Sequence, residues 1–320
     1  MSNIFPFTGT IINSYEAYDW LTTSSKALSD RASICSAYTK KSILERINSN
    51  ISSKQLCRVL ARWDLNDLIS GASDLEAYAY SKSLNWDFYI NLNSHVKIYH
   101  FPPSGILIGS ANATNSGLGI SSDPNIEAGT IVPELSSNLN FINLLFDQSI
   151  KLNDEIFKKI KNAYEDADKK SKSTDWPDSI FEILKPKISK DSKFFMSELF
   201  RSDGQEVINN LPNKSPESKI DLSLLCLNDE NLNLDNIAIK FKRSKICLWL
   251  KDLIQQDGGY IYFGRVTEAI QDCLIEDPTP YRKEIKILQA NLYSWIKLLG
   301  PEYSGFVYER PNHSEKLTLK

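Results

Sequence analysis

The stretch NSHVKIYHFPPSGILIGSANATNSGLGISSDPNIEAG (residues 93–129) contains two short apolar runs separated by a turn. His95 and Lys97 are two residues apart in the first run, and Ser110 and Asn112 are two apart at the end of the second. Side chains two apart on a strand project from the same face, and PPSG is typical of a tight turn. We therefore expect a hairpin that brings these four side chains to one place.

The four side chains suit chemistry at a phosphodiester. An imidazole can act as a neutral nucleophile, an ammonium supplies a fixed positive charge, and a hydroxyl and a carboxamide can donate to non-bridging oxygens. Each group alone has a structural explanation, since a single His on a strand is more often structural and a Lys beside it is usually solvated. The joint spacing favours a functional site.

Working outward from this stretch, strands alternate with helices along residues 1–148, which predicts an α/β layered domain. His100 alternates with His95 and Lys97, so we expect it to point the other way and to be structural. The other predicted strands are those in RASICS (31–36), around Leu56–Leu60, in WDFYINL (86–92) and around Gly129–Val132. One continuous helical pattern is predicted from Asn138 to about Lys170.

The rest of the chain divides into a helical connector, residues 149–238, and a C-terminal domain, residues 239–320. Residues 166–190 are rich in Lys, Asp and Ser and predict an exposed segment. Residues 239–320 predict three helices and a terminal hairpin turning near Pro311-Asn312, the outline of a winged helix. That region carries 13 Lys or Arg and 10 Asp or Glu. It could bind DNA or dock a protein.

Composition excludes several classes of protein. The net charge of −3 argues against a histone-like binder but leaves room for a local basic cleft. No apolar run approaches the length of a membrane helix, and the N-terminus lacks a signal-peptide pattern. The five cysteines have no metal-ligand spacing, so we expect reduced, mostly buried thiols. These features predict a cytoplasmic protein with no membrane association.

HVK followed after eleven residues by GSAN resembles the HKD signature of the phospholipase D superfamily. Pro102 occupies the position of the signature's Asp, which several nuclease-like branches also lack and lipid-cleaving members tend to keep. ATNSGLG (113–119), NIEAG (125–129) and RVLARWDLNDLISGASDLEAY (58–78) resemble the single-motif nuclease branch, which includes restriction-type enzymes. The resemblance covers residues 30–135 and implies a phospholipase D-like α/β/α fold.

This resemblance also implies roles for further residues. Glu127 would accept a hydrogen bond from a catalytic imidazole and fix its orientation; alternatively it is a solvated carboxylate. Thr114, Asn115 and Arg62 are candidates for binding substrate. Trp63 could stack a base, although Trp is more often core. The remaining candidates for phosphate contacts, which could equally be ordinary solvated charges, are Arg31, Lys40, Lys41 and Arg58.

In the superfamily, two motifs form one active site, in which one His attacks phosphorus and the other protonates the leaving oxygen. This sequence has one motif and no internal repeat. The resemblance therefore implies a C2 homodimer in which each copy supplies half a site. In such a site, lysine side chains supply the positive charge that a metal ion supplies in other nucleases. No metal or other cofactor is therefore expected.

The sequence thus predicts a metal-independent DNA endonuclease, in restriction or phage defence, acting with or without a partner protein of such a system. A phospholipase or phosphatidyl transferase is one alternative, which an export signal or a membrane-binding helix would favour. The other is a DNA- or partner-binding regulatory subunit without turnover.

Overall fold

The computed structural model describes residues 9–51, 56–167, 175–209, 214–227, 232–275 and 282–320. The chain divides into two compact units, Met1–Lys187 and Ile188–Lys320. The sequence suggested boundaries after residues 148 and 238, whereas the structure has one boundary inside the predicted connector. Part of that connector has its own buried apolar residues, which pack into the core of the first unit, Ile160 and Ile180 among them.

The first unit contains eight strands and seven helices among the residues described. The strands are β1 (Ile12–Asn13), β2 (Ala32–Ser36), β3 (Cys57–Ala61), β4 (Asp87–Ile90), β5 (Lys97–His100), β6 (Ile106–Gly109), β7 (Ala128–Val132) and β8 (Ile150–Lys151). The helices are α1 (Ser14–Lys26), α2 (Lys41–Asn50), α3 (Leu65–Ile69), α4 (Glu76–Ser83), α5 (Ser136–Asp147), α6 (Asp154–Asp166) and α7 (Asp178–Leu184).

The strands form one sheet in the order β1-β7-β6-β5-β2-β3-β4-β8. β2, β3 and β4 are parallel, and the remaining pairs are antiparallel. Alternate residues of the central strands enter two cores: Ile34 and Tyr99 belong to the larger one, and Cys35 and Ile98 belong to a smaller one with Phe146 of α5. The sheet therefore carries apolar layers on both faces, which confirms the predicted α/β layered domain.

Helix α1 was not predicted from the sequence. It begins after Asn13, whose Oδ1 accepts a hydrogen bond from the Glu16 backbone N–H at 3.1 Å, while Glu16 Oε2 accepts one from the Asn13 N–H at 2.8 Å. This reciprocal cap satisfies two backbone donors that the first turn leaves unpaired. Trp20 anchors the helix in the larger core with no exposed surface.

Two expectations about the region after residue 138 are wrong. The predicted continuous helix is interrupted, because Ile150 and Lys151 form β8 and pair with β4. Helix α6 starts anew at Asp154 and is capped by Asn153, whose Oδ1 accepts from the Ile156 N–H at 2.8 Å. The segment expected to be exposed contains α7, where buried Ile180 and Leu184 add apolar contacts that the charged composition concealed. Residues 168–174 of that segment lie outside the described residues.

The second unit is helical with a small sheet. Its elements are α8 (Gly204–Asn209), α9 (Pro216–Leu224), α10 (Leu234–Arg243), α11 (Lys245–Gln256), β9 (Tyr260–Tyr262), α12 (Phe263–Cys273), α13 (Arg282–Ser304), β10 (Phe306–Glu309) and β11 (Lys316–Leu319). The helical conformation of α13 is interrupted at Gly300, with φ at 65°, immediately before Pro301. A glycine tolerates this left-handed backbone, and the following Pro301 cannot continue the hydrogen bonding of the helix.

From α11 onward the elements follow the order helix, strand, helix, helix, strand, strand, which is that of a winged helix. The terminal hairpin is confirmed: β10 pairs with β11 through a turn at Pro311–His313. β9 was missed because it has only three residues; it pairs with β11 to give the sheet order β10-β11-β9. Among the described helices of both units, none is long and apolar enough to cross a membrane.

Candidate active site

The candidate residues lie at the edge of the main sheet where the parallel strands end. Ser36, the last residue of β2, is paired with Lys97, the first of β5, and β6 runs beside β5 to end at Gly109. The residues that follow β2, β3 and β6 therefore meet the segment that enters β5. Such an edge is where ligands commonly bind in α/β sheets, because loops and free backbone groups converge there.

His95 and Lys97 are in direct contact at this edge. The sequence suggested that His95 lies within a strand. In the structure β5 begins at Lys97, so His95 lies in the exposed segment before the strand. Lys97 Nζ lies 3.1 Å from His95 Nδ1 and 3.3 Å from Nε2, and it donates to the His95 carbonyl oxygen at 3.0 Å. The largely buried ammonium is therefore held against the imidazole ring.

The electrostatics of this pair favour a neutral imidazole. The Lys97 charge lowers the pKa of His95, and burial and the Arg62 charge lower it further, while Asp67 opposes them. Burial also lowers the pKa of Lys97, with Arg62 acting in the same direction and Glu127 against it. An unprotonated imidazole beside a cation can attack an electrophile that carries negative charge.

Asn112 is held by the segment that follows β2. Its Oδ1 accepts from the Tyr38 backbone N–H at 3.2 Å and from Ser36 Oγ at 3.4 Å. Ser36 Oγ also accepts from the Ala113 N–H at 2.9 Å. Because donors fix the amide oxygen, the amide NH2 is oriented the other way, where it can donate to an anionic oxygen.

Ser110 forms a second cluster with Glu127. Ser110 Oγ donates to Glu127 Oε2 and accepts from the Ala128 N–H at 3.1 Å, and Asn125 Nδ2 donates to Glu127 Oε1 at 3.0 Å. Both carboxylate oxygens thus bond to neighbours along this loop. The described residues of one chain show no hydrogen bond between Glu127 and His95, the contact that the resemblance implied.

Arg62 reaches the same edge from the end of β3. Its Nε and Nη2 donate to the two oxygens of Asp67 at 2.7 and 2.6 Å, and Nη2 lies 3.3 Å from the Tyr38 hydroxyl. The hydrogen bonds to Asp67 raise the pKa of Arg62. Its guanidinium carbon also lies 5.2 Å from the centroid of the Tyr38 ring. Arg62 is therefore a fixed cation whose charge acts on both His95 and Lys97.

Trp63 locks the backbone beside Arg62. It is fully buried, its ring centroid lies 4.9 Å from that of Phe88, and its φ is 48°. A left-handed backbone is costly for a bulky residue and persists only where the surroundings enforce it. The base-stacking alternative for Trp63 is wrong, because the ring is core.

Thr114 and Asn115 lie in a compact loop after Asn112. Thr114 Oγ1 accepts from the Gly117 N–H at 3.1 Å, and the Asn115 carbonyl oxygen accepts from the Ile120 N–H at 2.9 Å. A Cβ atom on Gly117 would lie 2.6 Å from the Asn112 carbonyl oxygen. The loop therefore closes tightly on the backbone of Asn112.

The other basic candidates are mostly engaged elsewhere. Arg31 forms an ion pair with Asp87, and Lys41 lies 3.3 Å from Glu45. Arg58 donates to Ser33 and Asn143 and packs over the Phe146 ring at 4.0 Å. His100 Nε2 lies 2.8 Å from Glu134, consistent with its expected structural role. Lys40 forms no ion pair with another residue in the described part of the chain.

The sequence analysis missed three residues that support this edge, which are Ser36, Tyr38 and Asp67, and gave no role to Asn125 of the NIEAG motif. A usable signal existed for Ser36 and Tyr38, since polar residues that follow a buried parallel strand tend to lie at the ligand-binding edge. Asp67 follows the next strand in the same way.

No protein-family model matches the chain, and no curated protein matches it in sequence. Among solved structures, it is similar to Nuc from Salmonella typhimurium, a phospholipase D family member, with 14% identity over 45% of this chain and 97% of that one, at a TM-score of 0.37. NucT from Helicobacter pylori matches at 13% identity over 44% and 99%, with a TM-score of 0.35. Phosphatidylserine synthase from Haemophilus influenzae matches at 16% identity over 52% and 45%, with a TM-score of 0.36.

Proposed function

We propose that this chain is a metal-independent phosphodiesterase that cleaves DNA through a phosphohistidine intermediate. The observation that carries the proposal is the contact between the Lys97 ammonium and the His95 ring, 3.1 Å from Nδ1. It couples a neutral nucleophile to a positive charge that can bind a phosphate oxygen. The directions of both pKa shifts support this arrangement.

The reaction takes two steps. A nitrogen of His95 attacks phosphorus, a P–N bond forms, and the P–O bond to the leaving oxygen breaks as that oxygen takes a proton from a general acid. Water then attacks phosphorus, gives its proton to the same group, and releases His95. Lys97 and Asn112 neutralise and bind the non-bridging oxygens as charge builds on them.

The general acid would come from a second copy of the chain. At this edge the described residues include one imidazole, since His100 is bonded to Glu134 and belongs to the opposite face of β5. A two-fold axis beside the edge would bring two copies of His95, Lys97 and Asn112 together. Glu127, which Ser110 holds in one chain, would orient the imidazole of the assembled site.

Substrate binding would extend from the scissile phosphate along the edge. Arg62 is protonated at any ordinary pH and its guanidinium can bond a phosphate in two places, so it suits a neighbouring phosphate. Thr114 and Asn115, in the loop after Asn112, would contact the adjoining sugar or base. DNA rather than lipid is the proposed substrate because Pro102 stands where lipid-cleaving relatives of the motif keep an Asp. We place the activity in restriction or phage defence on the same resemblance, with a partner protein of that system as an additional component.

The test is cleavage of plasmid and linear DNA in excess EDTA. We expect cleavage by the unaltered chain, loss of it in His95→Ala, and retention in His100→Gln, which preserves a donor towards Glu134. Acid-labile, base-stable labelling of the protein by phosphate-labelled substrate would detect the intermediate. A strict need for magnesium contradicts the proposal, and turnover of phosphatidylcholine without DNA cleavage would favour the lipid alternative.

A further inference from the structure

One side of α13 in the second unit is left open to solvent. Ile285, Leu292 and Ile296 point into the core, whereas Lys283, Lys286, Ile287 and Ala290 are exposed, with Ile287 at 51%. At about 100° per residue these four positions fall on one arc of the helix. We call them the basic face. Glu284, the one acid in this turn, lies about 100° round the helix from Lys283.

Further along the helix the same side of α13 is covered, so the basic face has a defined C-terminal border. The Gly204 N–H at the start of α8 donates to Ser294 Oγ at 2.8 Å, and Asn291 Nδ2 donates to the Phe200 carbonyl oxygen at 3.3 Å. A Cβ atom on Gly204 would lie 3.1 Å from the Trp295 backbone, so α8 packs tightly there. These contacts involve Asn291 and Ser294, which follow the basic face in the chain.

The β10–β11 hairpin meets α13 at Lys297, which follows the basic face in the chain, and its acids are paired with basic residues. Glu315 accepts from Lys297 at 3.1 Å and from the Tyr308 hydroxyl at 2.7 Å, which ties the hairpin to α13. Glu309 pairs with Lys316 at 3.4 Å. Arg310, at the exposed hairpin tip, is left with its positive charge uncancelled by these acids. The basic face of α13 and the tip of the β10–β11 hairpin therefore present positive charge on the same unit, although the net charge of the whole chain is −3.

We propose that the second unit binds duplex DNA, with the basic face of α13 in the major groove and Arg310 on the flanking backbone. An α-helix about 10–12 Å across fits a major groove about 12 Å wide. Lys283 and Lys286 contact phosphates at the groove's edges. The short Ala290 side chain allows close approach, and Ile287 can contact thymine methyl groups. Lys283 and Lys286 would attract a protein partner only if the surface of that partner were acidic.

The experiment measures binding to a labelled duplex by fluorescence anisotropy over a range of salt, using the full chain with His95→Ala so that no cleavage occurs. We expect the Lys283→Glu/Lys286→Glu variant to bind about ten-fold or more weakly and to lower the salt slope by about 2. Lys158→Glu/Lys219→Glu makes the same change in net charge at exposed lysines of α6 and α9 and should leave affinity nearly unchanged.

Equal losses in the two double variants would overturn the proposal, since net charge alone would then explain them. So would unchanged affinity in Lys283→Glu/Lys286→Glu, or single-stranded DNA of the same length competing as well as the duplex. This binding is separable from the proposed activity. A failure here leaves the phosphodiesterase untouched, and an inactive chain that still binds through α13 would refute the phosphodiesterase alone.

Discussion

At the scale of single residues, the Lys97 ammonium touches the very ring that it is proposed to assist. At 3.1 Å from Nδ1 it makes a protonated His95 unfavourable, because two positive charges would lie in contact with little intervening solvent. The contact therefore disfavours a second positive charge on the pair. This arrangement favours a deprotonated nucleophile beside a positive charge that can bind phosphate.

Replacing Lys97 with Met should raise the pKa of His95, because the neighbouring charge that lowers it most is removed. His95 would then become protonated at a higher pH, and any residual activity would fall off at a higher pH on the acid side. NMR titration of the imidazole measures this without turnover. Lys82→Gln, at a lysine paired with Asp154, is the control and should leave the His95 titration unchanged. An unmoved His95 titration in Lys97→Met would refute the assigned cause.

Replacing Arg62 with Lys keeps the positive charge but loses the bidentate pair of hydrogen bonds to Asp67. If Arg62 binds a flanking phosphate, KM should rise about ten-fold, the value of one charge-assisted hydrogen bond, with a smaller change in kcat. Arg58→Lys is the matched control. Arg58 is bonded to Ser33 and Asn143 beneath α5, so its loss should affect stability and leave KM alone. Equal KM changes in the two variants would contradict a substrate contact for Arg62.

At the scale of elements, the loop after β6 depends on one glycine. A Cβ atom on Gly117 would lie 2.6 Å from the Asn112 carbonyl oxygen and 2.9 Å from its amide nitrogen. Both are backbone atoms, so neither can rotate away. The loop can close on Asn112, and the Asn112 side chain can reach the Tyr38 N–H, only without that atom.

Gly117→Ala should therefore destabilise the chain by about 1–3 kcal/mol, as overpacking does, and displace Asn112 with a loss of activity. Gly264→Ala in α12 is the control, because an added Cβ meets nothing within 4 Å there. Chemical denaturation compares the two, with cleavage assays on each. A fully stable and active Gly117→Ala variant would show that the loop adapts without cost.

Sequence predicted these elements unevenly, for physical reasons. Central strands such as β2 and β3 are short, mostly buried segments of small and apolar residues, so their positions were predicted within one or two residues. α1 was missed because its cap at Asn13 precedes a stretch with a weak apolar periodicity. The motif residues of the site were found because they are close in sequence. Tyr38 and Asp67 were not found, because they are distant from His95 in sequence and only strand pairing brings them near it.

At the scale of the whole molecule, the net charge of the chain does not describe the local charge of either proposed DNA-binding surface. The chain carries −3, yet Lys97 and Arg62, the latter paired with Asp67, lie at one sheet edge, and α13 presents lysines at another surface. Attraction of DNA depends on such local potentials, which salt screens over about 10 Å at 0.1 M. The two units can therefore contribute to DNA binding separately, each with its own salt dependence.

The strongest prediction at this scale concerns assembly. If one site needs His95 from two copies, a heterodimer of one unaltered chain and one His95→Ala chain lacks either its nucleophile or its general acid, and its activity should fall by about 100-fold or more. Two affinity tags on co-expressed chains allow that species to be purified. A heterodimer with His100→Gln in one chain should stay active, since that residue bonds to Glu134 away from the site. Half activity in the first heterodimer would mean independent sites. So would full activity from a species sedimenting at 36.3 kDa, the mass of a single chain.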